Sequence, residues 1–143
     1  MHSLISDVLL DLDRSRAALR AAVDRVPTHL SDQLPGADRW SIAGVLEHLA
    51  LVDEGYTTAV AVKIAEARAA GLGREERGER ELPPAVAARL ADRTERRVAP
   101  EPFHPRGLDY GAAWARAESA RSAFRRVLTD ADGLALSRVV HEH

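Results

Sequence analysis

Six histidines and no cysteine set the side-chain chemistry open to this chain of 143 residues. Without thiols there is no cysteine nucleophile, no thiolate metal ligand and no disulfide. Neutral imidazole is the commonest protein metal ligand, so the histidines are the first residues to place. His48 stands apart from the others. It lies in the stretch Trp40-Ser41-Ile42-Ala43-Gly44-Val45-Leu46-Glu47-His48-Leu49, which reads as the opening of a helix with an apolar stripe beside the imidazole. One histidine is not a metal site, since even catalytic centres take about three protein ligands. On the residues alone, a core histidine satisfied by a neighbouring polar group is the plainer reading of His48.

The remaining candidates weigh less. Asp53, five residues on, either orients a ligand or binds substrate in the same groove, or it is a groove-edge carboxylate bonded to an arginine, and the last is favoured. Trp40 reads as a large ring closing the bundle end at the helix entrance, Ser41 as a cap, and Tyr56 and Trp114 as core. His141 and His143 would share one face of a strand and diverge in a helix. His2, His29 and His104 fall at a terminus or in loops, where surface placement is the default.

Helices must position these groups. Leu4, Ile5, Val8, Leu9, Leu12, Leu19, Ala22, Val23 and Val26 recur at helical spacing and predict a first helix over 3–26, stopped by Pro27. Ser41 is a suitable N-cap for a second helix running to Ala70 and ending near Gly71, about 45 Å long at ~1.5 Å per residue. Ile42, Val45, Leu46, Leu49, Asp53, Tyr56, Val60 and Ile64 are expected on its buried face, with His48 on the flank. A long connector follows from Gly71 to Leu108. Its run from Arg74 to Glu81 reads as solvated loop, and Pro83-Pro84 could open a short helix carrying Val86, Leu90 and Val98. Asp109 caps a third long helix whose face is Tyr110, Trp114, Ala117, Arg121, Phe124 and Leu128, with Gly133 at its C-terminal end. The fold class is therefore all-α, an up-down helix bundle forming a single domain over 1–143. The long crossover permits the second and third helices to run parallel.

Composition removes several functions. A net charge of −2 gives no basic footprint for nucleic acid. No apolar run approaches the ~20 residues of a membrane span, and Asp7 interrupts any signal-like core, which points to a cytoplasmic protein. Hydrophobic residues are 45% and charged residues 29%, an ordinary globular balance, while aromatics at 4% and abundant Ala and Arg favour helix.

Trp40-Ser41, followed by Val45-Leu46-Glu47-His48-Leu49, resembles the W-S-x-x-x-V/I-x-x-H-L signature of the DinB-like (YfiT-like) superfamily. The order of parts is also similar: one helix before the signature, a long crossover, a Pro- and Gly-containing segment near 100–107, then another helix. The resemblance implies a four-helix bundle holding a divalent metal, zinc or nickel, with three histidines. His48 would be the first, and the other two would lie four residues apart on a last helix. The sequence stops where the link to that helix is expected, and His141-Glu142-His143 resembles this link rather than the ligand pair. The expectation is a chain truncated before the fourth helix, with an incomplete histidine site.

By the same resemblance the protein is a metal-dependent enzyme acting on a small-molecule substrate, an S-transferase using a low-molecular-weight thiol or an isomerase. The alternative is a non-catalytic bundle that forms a homodimer over apolar faces three helices leave open.

Overall fold

The computed structural model describes residues 3–73, 88, 94 and 98–135. Among them are three long helices, α1 (Ser3–Val23), α2 (Ile42–Ala69) and α3 (Tyr110–Asp130), with single 3₁₀ turns at Thr28–Leu30 and Glu101–Phe103. No strand occurs among these residues.

The helix ends follow local chemistry. The Ser41 hydroxyl accepts from the Gly44 amide at 3.0 Å, and the Asp109 carboxylate accepts from the Ala112 amide at 2.9 Å, each satisfying a first-turn donor. Gly71 (φ 66°) and Gly133 (φ 88°) take the left-handed backbone that turns the chain away after α2 and α3. The first helix is shorter than the periodicity predicts. It stops at Val23 because Val26 precedes Pro27, where the proline ring disfavours helical backbone, and the chain passes into the Thr28–Leu30 turn.

Two apolar clusters fix the directions of the helices. At one end Ile5 and Leu9 of α1 pack with Ile64 and Ala67 of α2 and with Ala131 and Leu134 after α3. At the other, Leu19 packs with Ala43, Leu46 and Ala113, joined by Leu108 and Trp114. The second and third helices therefore run parallel, as the long crossover allows, and α1 runs against both. Arginines bind the set together: Arg125 and Arg121 donate to the Leu9 and Leu12 carbonyls of α1, and Arg68 donates to the Asp130 carbonyl. Near the start of α2 the connector is fastened twice, by the Ala43 amide donating to the Ser31 carbonyl and the Tyr110 amide donating to Asp32.

The buried face of α2 is the predicted one only in part: Leu46, Asp53 and Ile64 are buried as expected and Ile42, Leu49 and Val60 are half-buried. Ala43, Leu46, Glu47, Ala50, Leu51, Asp53, Ile64 and Ala67 are buried, while Val45 and Tyr56 are 39% and 45% exposed. Small alanines at 43, 50 and 67 widen the buried face, and Val45 and Tyr56 of the expected stripe are turned outward. Val98 stands in no helix and is 83% exposed. The other residues expected in a short helix there, Val86 and Leu90, lie outside the described residues, as do His2, His141 and His143.

Candidate functional site

His48 sits on the flank of α2 roughly half a turn away from the row that faces α3. It points beneath the crossover, where its Nδ1 lies 2.8 Å from the Phe103 carbonyl. A carbonyl only accepts, so Nδ1 carries the proton and the lone pair of the ring is on Nε2. A backbone carbonyl on one nitrogen orients the other, the arrangement by which ligating histidines are commonly aimed. The Trp40 ring lies 4.9 Å from the imidazole, and 6.0 Å from the ring of His104. His104 is exposed, as expected of a loop residue, but it is not idle. Its Nε2 donates to the Ala99 carbonyl at 2.7 Å and folds the segment before it into a compact wall.

Between that wall and α2 lies a slot of about 440 Å³, lined by Trp40, His48, Val52, Tyr56, Val98, Ala99, Pro100 and Phe103. His48, Val52 and Tyr56 follow one another at four-residue intervals and form a single stripe along the helix. Tyr56 is thus a slot wall and not core. Gly55 makes the opposite wall possible, since a Cβ there would stand 3.0 Å from the Phe103 ring.

The crossover is held to α2 by a second residue that sequence reasoning left inside the motif without a role. Glu47 is fully buried, and its Oε2 accepts from the Gly107 and Leu108 amides at 3.0 and 3.1 Å. Its Oε1 has no hydrogen bond and faces Arg116, whose Nη1 is 3.7 Å away. Arg116 is itself engaged by Glu54 through two bonds of 2.9 and 2.8 Å. The Arg116 hydrogen bonds hold the Glu54 carboxyl below its ordinary pKa, and Glu54 in turn raises that of Arg116. The signal that could have exposed Glu47 is its place one residue before His48, on the same helix as an apolar row, where a solvated carboxylate does not belong.

Asp53 takes the plainer of its two readings. It is 7% exposed and paired with Arg121, whose Nε donates to it at 2.6 Å, on the α3 side of α2 and away from His48. Trp114 packs against the cluster around Leu46 and carries the Arg20 guanidinium 4.7 Å over its ring. Trp40 is 37% exposed, and beyond marking the helix entrance it covers the His48 imidazole. His29 is exposed on the turn after α1.

A family model described as the DinB superfamily matches residues 11–143. The chain belongs to the DinB superfamily. Among curated proteins and solved structures, none matches it. The match places the Trp40–Leu49 stretch, the crossover and α3 within one DinB pattern, and no helix among the described residues is long and apolar enough to cross a membrane.

Proposed function

We propose that this DinB-superfamily chain is a metal-dependent enzyme acting on a small molecule, an S-transferase using a low-molecular-weight thiol or an isomerase. In this reading His48 binds a divalent zinc or nickel ion through Nε2. The observation that carries it is the 2.8 Å bond from His48 Nδ1–H to the Phe103 carbonyl, which leaves Nε2 as a lone-pair donor beside the slot. Histidine alone fills one coordination position. Among the described residues no group of three His, Cys, Asp or Glu is placed to hold an ion. The described residues do not amount to a complete centre, and the remaining ligands must come from outside them.

The test is metal content. Protein purified without chelator or affinity metal should carry zinc or nickel in a fixed ratio by mass spectrometry, and His48→Ala should lose it. Equal metal in the two proteins, or none in either after incubation with both ions, overturns the reading.

A second reading, a non-catalytic bundle that pairs with a copy of itself, rests on a different observation. Val45 and Val62 of α2 are 39% and 49% exposed, and an apolar groove of about 390 Å³ between the end of α1 and the start of α2 is lined by Val23, Leu30, Leu34 and Ile42. Sedimentation velocity decides it: a monomer across the micromolar range excludes the pairing.

A further inference from the structure

The slot beside His48 differs from an ordinary active-site cleft in what its walls lack. Among the described residues eight side chains line it, and none is Asp, Glu, Lys or Arg. The neighbouring acids of α2 are committed elsewhere, Asp53 to Arg121 and Glu54 to Arg116, both on the α3 side. Burying a charge without a partner is costly, so a phosphate or carboxylate group would find no Lys or Arg in these walls and would lose its water. Three aromatic rings, Trp40, Tyr56 and Phe103, offer instead flat apolar surface; the first two are 37% and 45% exposed even though Trp40 lies against His48 and Tyr56 lies 6.3 Å from the Phe124 ring. Val98, at 83% exposure, stands on the rim. The volume falls within the ~300–1,000 Å³ of small-molecule pockets, which are characteristically apolar with a few convergent polar groups. Here His48 is the ionisable side chain at the base, its ring fixed by Phe103, itself a wall residue.

We propose that this slot binds the uncharged, planar apolar part of the substrate, laid along the Val52–Tyr56 stripe with its reacting end toward His48. The inference rests on the enzymatic reading above and narrows it. The slot takes the apolar reactant, and a highly polar thiol co-substrate must approach from outside these walls. Gly55 is part of the device, because it lets Phe103 close against α2 and give the slot its second side.

The probes are 1-naphthol and 1-naphthoate, similar in shape and differing in charge at neutral pH. Binding is followed by calorimetry and by the shift of the His48 Cε1–H resonance. We expect 1-naphthol to move that resonance and to bind at least tenfold more tightly than 1-naphthoate. Tyr56→Ala and Val52→Asp should each weaken 1-naphthol at least tenfold. Leu34→Asp, in the groove at the end of α1, should leave it unchanged. Circular dichroism identifies folded variants, and Tyr56→Ala alters a side chain exposed enough to be removed without unfolding α2. No naphthol binding, equal affinity for the two probes, or undiminished affinity in folded Tyr56→Ala overturns the slot. So does a dimer that Val52→Asp dissociates, since a second copy would then be the occupant. Metal content is read on the same samples. Loaded protein that ignores 1-naphthol overturns the slot alone, whereas metal-free protein that binds it keeps the slot and overturns the metal reading.

Discussion

Replacing Glu47 by Gln tests whether one buried carboxylate holds the crossover against α2. Its Oε2 accepts two backbone amides, Gly107 and Leu108, with no exposure to water. Hydrogen bonds to a charged acceptor contribute ~1.5–3 kcal/mol each and those to a neutral one ~0.5–1.5, so converting two of them costs about 2–3 kcal/mol. The new amide group would stand where Oε1 now faces Arg116 and would have no acceptor, a further cost of about 1 kcal/mol. Relief from burying a charge works in the opposite direction by about 1–2 kcal/mol, leaving a net loss of about 2 kcal/mol. For a chain of this size that is about 6–8 °C in melting temperature. Urea denaturation gives the stability, and exchange of the His48 Nδ1 proton by NMR reports the local effect. The proton should exchange at least tenfold faster, because the loop that supplies the Phe103 carbonyl is no longer tied at Gly107 and Leu108. A stability change under 0.5 kcal/mol together with unaltered exchange would refute the reasoning.

Three further outcomes are expected. Asp53→Asn should lower stability by about 3 kcal/mol in denaturant titration, since it strips Arg121 of its charge partner at a site where the side chains are only 19% and 10% exposed. Leu46→Ala, at a side chain with no exposure, should cost about 3 kcal/mol in the same assay through the cavity it leaves between Leu19 and Ala113. Glu54 contributes through a carboxyl held below its ordinary pKa by Arg116, so its stabilisation is present above the unfolded carboxyl's pKa and is lost as pH falls through the folded one. The stability gap between the native protein and Glu54→Gln should therefore close on acidification, and at neutral pH it should narrow with added salt because the pair is partly exposed.

The elements were largely legible in the sequence because local rules set them. Ser41, Asp109 and Gly71 act at the helix ends for reasons internal to a single turn, whereas the cap of α3 is Ala131 and the expected Gly133 lies two residues beyond it. Connector length permitted parallel α2 and α3, and the two apolar end clusters fix that direction. The buried side of α2 followed at Leu46, Asp53 and Ile64 but not throughout, because hydrophobicity ranks Val45 and Tyr56 above Ala43 and Ala50, whereas close helix packing selects for smallness. Asp53 could be read as an arginine partner because a lone carboxylate on an apolar row demands a cation, although which of α3's arginines supplies it is a tertiary fact. The environment of His48 was out of reach for a related reason. Its partner is a main-chain carbonyl 55 positions away, and a carbonyl has no signature in the residue type that carries it.

Glu47 and His48 are consecutive, and both grip the same short return of chain, one by its amides and the other by a carbonyl. A substitution at either position changes the ground on which the other is judged, so the cost of altering both should fall short of the two separate costs added together. Lineages diverging from this sequence are expected to keep or abandon the two residues in concert, and with them the Gly107 bend they secure.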